Sequence, residues 1–87
     1  MILIFENNTD EEWRVQLNIF DNFQVGHCVN IDSNIIAFRT PLDNDEPGEN
    51  QFLPVGDYLI TGIVHFISKN EHFETVVTKN VFLKSIL

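Results

Sequence analysis

Residues 58–67 read Tyr58-Leu59-Ile60-Thr61-Gly62-Ile63-Val64-His65-Phe66-Ile67, a run that is apolar on both alternating faces. Side chains along a strand point to opposite faces in turn. Tyr58, Ile60, Val64 and Phe66 therefore share one face, and Leu59, Ile63 and Ile67 share the other with Thr61 and His65. A strand apolar on both sides is covered on both sides. In a chain of 87 residues one of those covers can be another chain. Gly62 in the middle predicts a bend or bulge of the kind that curves a barrel.

The same period of two recurs elsewhere. Trp13, Val15, Leu17 and Ile19 alternate with Arg14, Gln16 and Asn18, which reads as a half-buried strand opened by Trp13. Asp21-Asn22 and Asp32-Ser33-Asn34 read as turns. Between them, Phe23–Ile31 reads as a strand with Val25, Val29 and Ile31 on one face. Ile35–Arg39 is a short apolar run of β type, and Phe73–Leu83 is the return strand of a hairpin turning at Ser68–His72. Ile2–Phe5 reads as an added strand or an arm onto a neighbour. Residues 40–52 hold two prolines, a glycine and four acids, and predict a solvated loop. The cap-like Asn8–Glu12 predicts at most one helical turn. The expectation is a single all-β domain over 1–87, a small antiparallel barrel or sandwich of five to seven strands. Residues 1–12 would be an N-terminal strand or arm, and 40–52 an acidic loop. Tyr58, Ile60, Val64, Phe66 and Trp13 are the expected core.

Composition excludes several classes. An apolar fraction of 44% is too high for a disordered chain. One cysteine permits no internal disulfide framework. No apolar run reaches the roughly 20 residues of a membrane span, and the N-terminal residues lack a signal-peptide pattern; the chain is expected to be soluble and made in the cytoplasm. Thirteen acids against five basic residues give a net charge of −8. Arg14, Arg39, Lys69, Lys79 and Lys84 are scattered, so direct nucleic-acid binding and attachment to an anionic membrane are both disfavoured.

The inventory for chemistry is nearly empty. His27, Cys28, His65 and His72 are the available nitrogen and sulfur ligands, and no zinc spacing links them. Adjacent His27 and Cys28 would face opposite sides of a strand. A Cys28–His65 nucleophilic pair requires their strands to pair, with no motif in support. Cys28 reads better as a small buried hydrophobe and His65 as a hydrogen-bonded wall residue. The loop acids Asp43, Asp45, Glu46 and Glu49 suit solvation, and Asp43–Pro54 fails the calcium-loop pattern because Pro54 takes the twelfth position. The expectation is no catalytic residue, no metal and no cofactor. Such a chain suits binding or assembly.

Gly56-Asp57-Tyr58-Leu59-Ile60-Thr61-Gly62-Ile63-Val64-His65 resembles a strand of the tail hub and late-control proteins of contractile-tailed phages. Phe73–Leu83 resembles the strand that follows it there, and Phe23–Ile31 a strand upstream, so the resemblance spans about residues 13–83. It implies one β-barrel of the hub: a non-catalytic structural component joining tail tube to spike or baseplate. It further implies copies of itself in a ring, other tail or baseplate proteins as partners, and a place in the virion tail. Leu59, Ile63, Ile67, Ile86 and Leu87 are then the interface candidates. The alternative is a small acidic protein that inhibits a basic, nucleic-acid-binding partner, such as an anti-defence protein.

Overall fold

A computed structural model describes residues 1–6, 11–17, 22–41 and 47–86. Seven strands form one sheet: β1 (Ile2–Glu6), β2 (Glu11–Gln16), β3 (Cys28–Ile31), β4 (Ile36–Pro41), β5 (Glu49–Phe52), β6 (Gly56–Lys69) and β7 (Thr75–Ser85). Their order is β3-β6-β7-β1-β2-β4-β5. The all-β expectation holds. The sheet is mixed, because β1 and β7 run parallel while the other pairs are antiparallel.

Two short links force this sheet to curl. β3 lies at one edge and β4 next to the other, five strand spacings apart. Across a flat sheet that is roughly 24 Å. The chain covers it in the five steps from Ile31 to Ile36, which reach at most about 18 Å. Phe52 to Gly56 joins β5 to β6 across the same five spacings in four steps. The two edges therefore bend toward one another into a half-barrel.

The concave side holds the core: Leu3, Phe5, Trp13, Ile31, Ala37, Leu53, Tyr58, Ile60, Val81 and Leu83. Tyr58 anchors it. Its ring meets Phe5 edge-on at 4.9 Å. Its hydroxyl donates to the Pro54 carbonyl at 2.7 Å, which satisfies the polar end of a buried side chain. Burial raises its pKa above the ordinary tyrosine value.

β1 lies at the centre of the sheet, between β7 and β2. Leu3 and Phe5 face the core, and Ile4 on the opposite face is only 2% exposed. The first residue is tied down by a reciprocal pair of bonds, Leu17 N to Met1 O at 2.8 Å and the Met1 amino group to Leu17 O at 3.2 Å.

Several expectations are corrected. Val64 and Phe66 are exposed, at 41% and 47%, rather than in the core. Two causes act: a bulge at Thr61 and, beyond Val64↔Asn80, the end of the neighbouring strands. Ile60 pairs with Leu83 and Gly62 with the adjacent Phe82, leaving Thr61 as the extra residue. One extra residue exchanges the two faces of everything beyond it. Ile63 therefore joins Ile60 on the core side, opposite Val81, and Leu59 no longer shares a face with Ile63 and Ile67.

The strand expected over Phe23–Ile31 is regular only in its last four residues. Gly26, at a φ of 92°, turns the chain, and Val25 is exposed. Cys28 is exposed rather than buried. β5 occupies the end of the stretch expected to be a loop. It has no alternating pattern because all four of its residues are exposed on an edge strand. Glu11 and Glu12, expected near a helical turn, lie in β2. Ile19, Asp21, Asn8–Asp10 and residues 42–46 of the expected acidic loop lie outside the described residues.

Candidate functional site

β6 and β7 outrun their neighbours. β3 pairs with β6 only as far as Leu59, and β1 pairs with β7 only from Asn80 onward. From His65↔Lys79 to Lys69↔Thr75 the two strands pair with each other alone. This two-stranded arm, residues 65–79, extends roughly 17 Å before its turn, at about 3.3 Å per residue.

Both faces of the arm carry apolar side chains that no third described strand covers. Ile67 and Val77 extend the core side and are 74% and 58% exposed. Phe66 lies on the other side, with Val64 at the root. Exposed contiguous apolar surface of this kind marks contact sites on proteins.

The tip is held by Asn70. Its side-chain oxygen accepts from the amides of His72 and Glu74, at 2.9 and 3.0 Å. Its backbone amide donates to the Glu74 carbonyl at 3.0 Å. This arrangement places Phe73 at a φ of 59°, a left-handed conformation uncommon for a residue with a bulky side chain. Phe73 is also 83% exposed. A large aromatic thus stands in solvent on a conformation that disfavours it, the combination from which functional strain is inferred.

A second apolar patch lies on the outer face of β4 and β5. Ile36 and Phe52 are cross-strand partners there, 63% and 60% exposed. With Asn50 and Gln51 they line an open depression of about 480 Å³ beside the free edge of β5. Phe38 borders it, its ring lying over Gly48. A Cβ added at Gly48 would stand 2.5 Å from that ring and 2.9 Å from the Arg39 carbonyl.

Among the described residues, charge is uneven along the sheet. The arm's two lysines, Lys69 and Lys79, balance Glu71 and Glu74, so the formal charge of −8 resides elsewhere. At the end of the sheet opposite the arm, Glu6 pairs in register with Glu12, and Glu11, Glu49, Asp57 and Asp32 stand on neighbouring strands or at their ends. Arg39 engages Glu11 and reaches Glu49 at 3.8 Å, and Arg14 binds Glu12 at 2.8 Å, so part of that charge is neutralised locally.

The candidate interface residues fall in different surroundings. Ile63 is half-buried against the core, and Leu59 is half-buried on the outer face. Ile67 stands on the arm. Ile86 is 45% exposed, with its amide bonded to the Asp57 carbonyl at 2.9 Å. Leu87 lies outside the described residues. Phe73 was not among the candidates. Its only sequence signal is an aromatic next to a polar turn.

Chemical groups do not converge. Cys28 faces Leu59 in register, and His65 lies six residues further along β6, or roughly 20 Å. His65 is exposed on the arm rather than set in a wall. Among the described residues no three His, Cys, Asp or Glu side chains gather as a metal site would require, and no helix is long and apolar enough to cross a membrane. The indole nitrogen of Trp13 is buried without a hydrogen-bond partner among the described residues. No family model matches the chain, and neither a curated protein nor a solved structure matches it.

Proposed function

We propose that this chain is a non-catalytic assembly module that binds another protein through the arm of β6 and β7. The observation that carries the reading is the arm itself, two strands with no third neighbour among the described residues and exposed Phe66, Ile67, Phe73 and Val77. An isolated two-stranded ribbon is marginal in water, and a partner strand or surface would supply the missing cover. In its narrower form the module is one barrel of a phage tail hub or baseplate. That form rests on the strand motifs of residues 23–31, 56–65 and 73–83 alone.

A second reading is an acidic inhibitor of a basic partner, favoured by the acids gathered at the end opposite the arm. Arg14 and Arg39 neutralise part of that end, which places this reading second. One experiment separates the two. A photo-cross-linking residue is placed at Phe73, or at Asp32 in the acidic end, in the cells that make the protein, and adducts are identified by mass. The assembly reading expects a discrete protein adduct from position 73 that survives raised salt. An adduct from position 32 alone, lost as salt screens the charges, overturns it in favour of the acidic inhibitor.

A further inference from the structure

We infer that the arm's partner is an acidic polypeptide segment, added as an extended strand along the edge of β6 with its carboxylates beside His65, Lys69 and Lys79. This rests on the assembly reading and names the chemistry of its partner.

The register brings the arm's basic groups together. His65 pairs with Lys79, Ile67 with Val77 and Lys69 with Thr75. Directly opposed residues share a face, and so do alternate residues along a strand. All six therefore lie on the core-side face. His65 and Lys79 form one rung, Ile67 and Val77 the next, and Lys69 and Thr75 the last. Successive rungs are roughly 7 Å apart. Two of the chain's five lysine and arginine side chains thus stand on one narrow strip, on either side of an apolar rung. His65, Ile67 and Lys69 are exposed and Lys79 is half-buried. The arm's glutamates, Glu71 and Glu74, belong to the turn beyond the last rung and not to the ladder.

The same stretch offers main-chain bonds. β3 stops opposite Leu59, and beyond it Ile60 bonds Gly26 and His27. From Gly62 to Lys69 no described strand other than β7 pairs with β6. Such an edge takes an extended polypeptide by strand addition, with main-chain bonds giving affinity and side chains giving specificity. A row of amides and carbonyls is complemented by another polypeptide and not by a nucleic acid, whose phosphates would also meet a formal charge of −8.

Charge fixes the kind of polypeptide. On an added strand, the residues beside His65, Ile67 and Lys69 share a face at every second position. Acid, apolar, acid at those positions complements the strip, and a basic residue at either outer position would face like charge. The acids at the other end of the sheet do not prevent this. Asp57 and Lys69 stand at opposite ends of β6, roughly 40 Å apart at about 3.3 Å per residue. That is several times the screening length of about 8 Å at physiological ionic strength. The apolar rung and the main-chain bonds supply contact that salt does not screen, in keeping with a salt-resistant adduct at position 73.

The test uses a displayed library of random nine-residue peptides, selected on the immobilised full chain. Enriched peptides are expected to carry acid, apolar, acid at alternate positions. The most enriched peptide is then synthesised with a fluorescent label and its affinity measured by anisotropy. Lys69→Glu, at an exposed position, and the double variant Lys69→Glu with Lys79→Glu are checked for wild-type circular dichroism. Each is expected to bind the peptide at least roughly tenfold more weakly, because like charges then face one another across the contact. A peptide with lysine in place of each acid is expected to prefer the charge-reversed chain to the wild type.

Enriched peptides without acidic bias, bound equally by Lys69→Glu but lost with Phe73→Ser, overturn the acidic partner and leave the arm reading standing. Acidic peptides bound equally by wild type and Lys69→Glu overturn the strip as their site. Peptides whose binding neither Lys69→Glu nor Phe73→Ser alters overturn the arm's role altogether. A labelled single-stranded oligonucleotide that binds wild type and not Lys69→Glu overturns the polypeptide in favour of nucleic acid. A library that yields no enriched peptide overturns the acidic segment, and the cross-linking experiment then decides the assembly reading separately.

Discussion

Deleting Thr61 from the middle of the longest strand should leave the fold intact. The register gives the reason. Ile60 pairs with Leu83, Gly62 with Phe82 and Ile63 with Val81, so removing Thr61 makes this stretch a regular ladder without moving any partner beyond it. The side chain lost is exposed and contributes one bond, from Oγ1 to the Phe82 carbonyl at 3.3 Å. A bond of that kind is worth about 1 kcal/mol. With some loss of local twist, the total is about 1–2 kcal/mol. Strict alternation makes the opposite forecast. It places Val64 and Phe66 in the core, and the deletion would turn both out and bring His65 in. That costs about 1.5–3 kcal/mol for each apolar side chain, before any cost for the imidazole. Domains this size have a total stability of roughly 4–13 kcal/mol, at 0.05–0.15 per residue, so such a loss would approach unfolding. Urea denaturation followed by the fluorescence of Trp13, the single tryptophan, reads the difference. With a slope of about 1 kcal/mol per molar, the midpoint should fall by about 1–2 M and the transition should stay cooperative. A fall equivalent to more than about 4 kcal/mol, or loss of cooperativity, would refute the assignment of the bulge.

The glycines should separate in the same assay. Gly62→Ala should be neutral or stabilising by up to about 1 kcal/mol, because a Cβ there meets only Phe82 at 3.9 Å. Gly56→Ala should destabilise by more than that, because Gly56 has a φ of 139°; equal midpoints for the two variants would contradict this. Tyr58→Phe should cost about 1–2 kcal/mol by leaving the Pro54 carbonyl without its donor. Its pH dependence has a definite sign: burial raises the folded-state pKa, so above pH 10 the unfolded chain ionises first and stability falls as pH rises toward the folded value. A Tyr58→Phe chain should lose that alkaline decline, measured as the urea midpoint from pH 9 to 11. Phe73→Asn should raise stability by up to about 1 kcal/mol, because Asn tolerates the left-handed conformation at the tip. The same change should weaken association, and a stabilised variant that associates normally would remove the functional reading of the strain.

Much of the fold follows from local pattern. Alternation located β2, two-sided apolarity β6 and the hairpin turn β7, and Trp13, Val15 and Leu17 face or flank the core as alternation requires. The faces of β6 beyond Thr61 did not follow. Gly62 signalled a bulge, but a bulge exchanges faces only once its position is known to the residue, and the register with β7 supplies that. β5 escaped because Glu49-Asn50-Gln51-Phe52 lies along an edge where no position is buried, so no periodicity is imposed on it. The central place of β1 escaped because its neighbours come from opposite ends of the chain, β2 beside it and β7 near the C-terminus.

The two apolar runs make the last point. Leu3, Ile4 and Phe5 are buried on both faces of β1, as continuous apolarity requires of a central strand. The run over Tyr58–Ile67 obeys the same rule only through Ile63. β3 ends opposite Leu59 and β1 at Asn80, the partner of Val64, and beyond them Phe66 and Ile67 extend with no cover from another described strand. A sequence that keeps placing apolar side chains after its own sheet has run out leaves apolar surface that the described strands do not bury. The burial these residues lack within the fold is available in an intermolecular contact. For this reason the proposed contact is placed on the arm.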